Sequence, residues 1–167
     1  MALAAQSIMT ESEEKKPVAS RRKGRKQAFE CLYGLIFESA ADARSLRRLF
    51  SRCPHDVSEG DDDAGGEFAW EIVSGVWDNQ REIDALIVRF SKNWKLSRIA
   101  KVELTILRLA VFEILYRPDI PLRVTLNEAI ELAKRYGDEN SRNFINGILD
   151  AIAKAVDNGE FEIHKDL

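Results

Sequence analysis

The chain has 167 residues, 45% of them apolar, with 25 Lys and Arg against 28 Asp and Glu for a net charge of −3. That composition supports one domain with a real core and excludes a wholly disordered or low-complexity chain. The charge is split: residues 1–26 carry seven basic and three acidic side chains, and residues 27–167 are net −7, which excludes a histone-type cationic coat but leaves room for a local anion site at the N-terminal end.

In chain order, residues 1–20 are small, polar or charged around Pro17 and are expected to stay disordered, because little apolar surface offsets the entropy of ordering them. Residues 21–39 read as a helix, with Ala28, Leu32, Leu35 and Ile36 at helical spacing, joined by Phe29, Tyr33 and Phe37. Its opening turns carry Arg21-Arg22-Lys23-Gly24-Arg25-Lys26, at the end of the helix dipole that disfavours cations. The placement costs little stability and hints at a role other than folding. Residues 42–52 form a second helix with Leu46, Leu49 and Phe50 on its apolar side, and Pro54 ends it by disfavouring helix at Cys53. The stretch 54–66, with Asp61-Asp62-Asp63 and Gly65-Gly66, predicts an exposed loop.

A third helix over 67–91 has a stripe running from Phe68 through Ile72, Val76, Ile83 and Ile87 to Phe90. The segment 97–116 is apolar nearly all round, which predicts a central helix covered on several sides. Pro118-Asp119-Ile120-Pro121 makes a turn, Thr125-Leu126-Asn127-Glu128 has capping-box spacing for a helix reaching Tyr136, and Gly137 is its stop. A last helix covers 139–156, with Phe144, Ile145, Ile148 and Ile152 on one face, and 157–167 is a polar tail. No run alternates with period two, and no repeat stands out at about 20–50 residues. The fold class expected is all-α, a compact helical domain over 21–156.

Catalytic signatures are absent. Gly65-Gly66 sits among acids that repel phosphate, and His55 and His164, the only histidines, fall in a loop and a tail. Cys53-Pro54-His55 offers two ligands where structural zinc needs four, and a calcium loop counted from Asp61 would place Ile72 where a bidentate Glu belongs. No metal or cofactor is expected. Cys31 and Cys53, 22 positions apart, make no disulfide framework and fit a reducing cytosol. The segment 104–116 is interrupted by Arg108 and Glu113 and is shorter than the ~20 residues of a membrane span. The opening MALAAQSIM lacks the basic region of a signal peptide, so a cytoplasmic protein is expected.

Three groups stand out. Arg21 to Lys26 is either a solvated charged end or a set of phosphate contacts. Asn140-Ser141-Arg142-Asn143-Phe144 gathers amides, an Arg and a Phe at a helix opening. There Asn140 is either an N-cap or a ligand contact, and Phe144 either core or a stacking platform for an unpaired base. Glu103, Arg108 and Glu113 on the apolar helix are either paired inside the fold or mark the rim of a protein-binding groove.

Together these segments resemble the NusB family of bacterial antitermination factors. The residues that carry the resemblance are Ile120-Pro121-Leu122-Arg123-Val124-Thr125-Leu126-Asn127-Glu128-Ala129-Ile130-Glu131-Leu132-Ala133-Lys134, then Asn143-Phe144-Ile145-Asn146-Gly147-Ile148-Leu149-Asp150, with Leu107-Arg108-Leu109-Ala110-Val111-Phe112-Glu113 and the Arg-rich opening. The resemblance covers about 21–156. It implies about seven helices in two packed bundles, binding of single-stranded boxA RNA from ribosomal RNA leaders, and a heterodimer with NusE, the small-subunit ribosomal protein numbered ten. It also implies action with RNA polymerase and other Nus factors. By position it implies RNA contacts at Arg21, Arg22, Lys23, Arg25, Phe90, Asn140, Arg142 and Phe144, and a NusE interface at Tyr33, Glu103 and Arg108. The N-terminal extension of about 20 residues, Lys26 and the acidic 54–66 loop fall outside the family pattern.

Four or five phosphate contacts predict a log–log salt slope of roughly −3 to −3.5 on single strands. A net-acidic remainder makes a basic partner physically useful. The competing reading is a helical interaction module or homodimer with no RNA role. An enzyme of the ribosomal RNA cytosine methyltransferase type, in which similar helical domains precede the catalytic one, needs a further methyl-donor domain for which 167 residues leave no room.

Overall fold

The computed structural model describes residues 20–54, 64–92 and 94–162. Of the segment 1–20 expected to be disordered, Ser20 opens the first helix and 1–19 lie outside these residues, as do the 55–63 part of the acidic loop, His55, His164 and the end of the polar tail. Among the described residues there are six α-helices and no strand: α1 (20–35), α2 (Ala43–Ser51), α3 (Ala64–Phe90), α4 (Lys101–Tyr116), α5 (Leu122–Tyr136) and α6 (Glu139–Asp157), with a 3-10 turn at Leu96–Arg98. The count of about seven falls to six because α3 runs on through a kink at Asn79. There the side-chain amide donates to the Gly75 carbonyl at 2.8 Å, an insertion of a side-chain group into the helical ladder.

α4 is central. It is buried from Leu104 to Ile114 apart from Arg108, and packs against α3, α5 and α6. The all-round apolar pattern predicted this position, since a helix with no polar face needs cover on every side. The expected start at residue 97 is corrected: Ile99 and Ala100 are extended, and they separate the 3-10 turn from α4 proper. Buried side chains from all six helices join one contiguous core. α1 crosses the opening of α3 closely, and a Cβ on Gly24 would lie 2.6 Å from the Gly65 carbonyl oxygen.

Two further local expectations are corrected. The Thr125–Glu128 spacing does not cap α5, which begins three residues earlier behind Pro121. Both side chains instead turn to a buried polar network: the Thr125 hydroxyl donates to Glu113 at 2.9 Å, and Glu128 receives Arg22. Cys31 of α1 and Cys53 after α2, expected as separate thiols, are joined as a disulfide with Cα atoms 5.5 Å apart. Pairing of positions this far apart in sequence depends on how α2 folds back beside α1. α2 itself is set by Asp42, whose side chain accepts from the Ser45 N–H at 2.7 Å in a reciprocal capping box.

Candidate nucleic-acid interface

The basic start of α1 is arranged in two tiers. Arg25 points inward and is 3% exposed. Its Nε and Nη2 donate to the two oxygens of Glu113 at 2.6 and 3.3 Å, and Nη1 lies 3.9 Å from Glu128. Glu113 is wholly buried, so the pair survives desolvation only through this forked geometry and the added Thr125 hydroxyl. The expectation that Arg25 contacts RNA is therefore corrected, because its guanidinium is committed to a strut that fastens α1 to α4.

Arg22, one turn earlier, faces outward. It donates to Glu128 from Nε at 3.2 Å to each oxygen and from Nη2 at 2.7 Å, yet 64% of its side chain stays exposed. The hydrogen bond and charge of Glu128 push its pKa up. Arg21 bonds Asp119 at 2.9 Å and lies 5.4 Å over the Phe68 ring. Asp119 is held down at about 2, first by the Arg117 hydrogen bond, with burial opposing and Arg21 adding to it. Lys23 is exposed on the same turn. Three of the helix-opening arginines thus have carboxylate partners from α4, α5 or the turn between them, which offsets their unfavourable place on the dipole. Arg21, Arg22 and Lys23 still reach solvent.

At the opening of α6, Asp138 is the N-cap and accepts from the Ser141 N–H at 2.8 Å, so Asn140 is not the cap but an exposed first-turn residue. Arg142 is half-buried. Phe144 is half-buried too, packed at the edge of the core with its ring 6.1 Å from that of Trp94. Phe90 is not brought to this ring. It pairs at 6.3 Å with Phe161, past the far end of α6, beneath the Arg89 guanidinium. Trp94 was passed over by periodicity because it falls between helices; its cue in the sequence is an aromatic set between Lys92 and Lys95.

Tyr33 and Glu103 lie at the meeting of the end of α1 and the start of α4. Tyr33 makes an edge contact at 5.3 Å with Phe37, which is 62% exposed, and the Lys101 ammonium sits 4.5 Å over the Phe37 ring. Glu103 is half-buried in the first turn of α4. Arg108 is paired inside the fold, donating from Nε and Nη2 to both oxygens of Asp84 at 2.7 and 2.9 Å. It also lines a cleft of about 420 Å³ with Leu35, Val76, Trp77 and Leu104, between α1, α3 and α4. The first alternative for Arg108, pairing inside the fold, is the one the structure shows, and the same side chain also borders the cleft. Phe37 is the member of this face that the sequence reading placed only on the helix stripe.

Among the described residues no three His, Cys, Asp or Glu side chains gather as a metal site, and no helix is long and apolar enough to cross a membrane.

A family model described as the NusB family matches residues 22–154. The transcription antitermination protein NusB of Oleidesulfovibrio alaskensis is 53% identical over 146 residues, covering 84% of this chain and 92% of the relative. That of Nitratidesulfovibrio vulgaris is 48% identical over 147 residues, covering 88% and 96%. Among solved structures, T. maritima NusB superposes with a TM-score of 0.71 at 39% identity, covering 84% of this chain and 97% of that one. A crystal structure of antitermination factors NusB and NusE in complex with double-stranded RNA gives a TM-score of 0.69 at 26% identity, covering 82% and 98%. With the match spanning every helix of the fold, the chain belongs to the NusB family.

Proposed function

We propose that the protein is a non-enzymatic antitermination factor that binds boxA RNA of ribosomal RNA leaders together with NusE, and that it acts in the cytoplasm on RNA polymerase with other Nus factors. The observation that carries this reading is the family match over 22–154, joined to relatives named transcription antitermination protein and to a neighbour solved with NusE and RNA. The surface agrees with it. Arg21, Arg22 and Lys23 present cations at the start of α1, and Asn140, Arg142 and Phe144 offer amides, a guanidinium and a ring at the start of α6. Single-stranded RNA is recognised by this combination of backbone charge and base stacking. NusE is assigned to the face of Tyr33, Phe37, Glu103 and Arg108, where the exposed Phe37 ring lies under the Lys101 ammonium and its chain neighbour Ile36 lines the cleft with Arg108. An exposed ring next to a cleft is the usual anchor of a protein contact.

With Arg25 withdrawn, four cations remain for phosphate: Arg21, Arg22, Lys23 and Arg142. These four predict a log–log salt slope at least as steep as roughly −2.8 on single strands, each further phosphate contact steepening it by about 0.7. Arg22→Ala should weaken RNA binding and flatten that slope by about 0.7, measured by fluorescence anisotropy across a salt series. An unchanged affinity and slope would remove α1 from the RNA site.

A further inference from the structure

The described surface exposes two large hydrophobic side chains, Phe37 and Trp94. Phe37 belongs to the face already assigned to a protein partner. Trp94 does not: it is 52% exposed on the connection between α3 and the 3-10 turn. It is anchored on both sides. Its backbone N–H donates to the Ser91 carbonyl at 3.3 Å, and its ring meets the Phe144 ring at 6.1 Å and 46°. The chain reaches it through Lys92, whose φ of +56° is a conformation that residues other than glycine seldom adopt. A single exposed aromatic is ordinary on a protein surface; what sets this one apart is that it stands against a second ring, Phe144, on a cationic segment.

The charge around the ring says what it faces. Residues 91–100 hold three cations, Lys92, Lys95 and Arg98, and no carboxylate, while Lys101 is turned over the Phe37 ring. Lys92, Lys95 and Arg98 are exposed, and Arg142 stands two residues before Phe144 on α6. An apolar protein surface would have to strip water from these cations, whereas a polyanion carrying flat rings satisfies both features together.

We propose that Trp94 and Phe144 form a two-ring ledge on which unpaired RNA bases stack, so that Trp94 is a second base-binding residue beyond Phe144. The proposal rests on the RNA-binding reading above and adds to it a specific base contact at Trp94. The exposed face of Trp94 takes one base, Phe144 takes a neighbouring one, and the lysines hold the phosphates between them. Since the two planes are tilted, each ring offers its own face and no base is inserted between them.

The test uses the full chain, with and without NusE, and a labelled single-stranded boxA-type RNA together with versions carrying one abasic nucleotide at each position in turn. Trp94→Ala should weaken binding by about fivefold to a hundredfold, while Trp94→Phe keeps most of the affinity. One abasic position should weaken the wild-type complex and have no further effect on Trp94→Ala. RNA should quench the indole emission of the wild type and do so less in Trp94→Phe. Wild-type affinity in Trp94→Ala, or losses that add at every abasic position, would overturn the ledge while a salt slope that depends on Arg22 leaves the RNA reading standing. If the wild type binds no RNA with or without NusE, both fall. Thermal melts of the two variants separate loss of contact from loss of fold.

Discussion

Arg22 and Arg25 are one turn apart on one helix, and their partners give them different work. Arg25 and Glu113 form a buried pair, and removing one member leaves the other charged without compensation. Arg25→Ala should therefore cost about 3–5 kcal/mol in urea unfolding, whereas Arg22→Ala, exposed, should cost no more than about 1 kcal/mol. Equal losses would contradict the two-tier assignment. The sequence showed a cluster of cations but not which one turns inward, because the deciding carboxylates lie 88 and 106 positions away. Asp119 acts at the same scale. Its carboxyl sits at about 2, below the ordinary value near 3.9. Its contribution is full above about pH 4 and is lost as the pH falls through about 2. Asp119→Asn should flatten the fall in melting temperature over that window; an unaltered acid limb would show that the contact with Arg117 and Arg21 carries no stability.

At the scale of elements, α3 and α4 are fitted by a glycine. The Phe112 ring occupies the space that a side chain on Gly75 would need. Alanine is the better helix former by about 1 kcal/mol, yet Gly75→Ala should lower stability by about 1–3 kcal/mol through overpacking, read from the denaturation midpoint. A more stable variant would mean that the two helices separate without cost. The helices themselves were legible, because apolar residues at 3.6 spacing mark the faces of α3, α5 and α6, and α4 shows its central place by having no polar face. What misled was chemistry with two uses. Thr125 and Glu128 have the spacing of a cap, but α5 starts early and spends both on the buried network around Glu113 and Arg25. Trp94 and the Cys31–Cys53 pair escaped for a related reason, since neither follows a period and each is defined by an element distant in sequence.

For the whole molecule, the division of charge ties fold to function. A net-acidic helical body carries exposed cations at the start of α1, along α2 and in the segment 92–98, and Glu113 and Glu128 hold the α1 arginines in place. Such a body repels RNA at long range and binds it locally, so a basic partner that widens the positive surface should raise affinity most at low salt. The family was legible in the sequence because its two linked segments, 120–134 and 143–150, build α5, which holds Arg22 of α1 through Glu128, and part of α6. The most direct measurement is a titration of labelled boxA RNA, a scrambled single strand and an RNA duplex against the protein, with and without NusE, across a salt series. The account predicts tightest binding to boxA, strengthened by NusE and steeply weakened by salt. Equal weak binding to all three RNAs, unaffected by NusE, would contradict it.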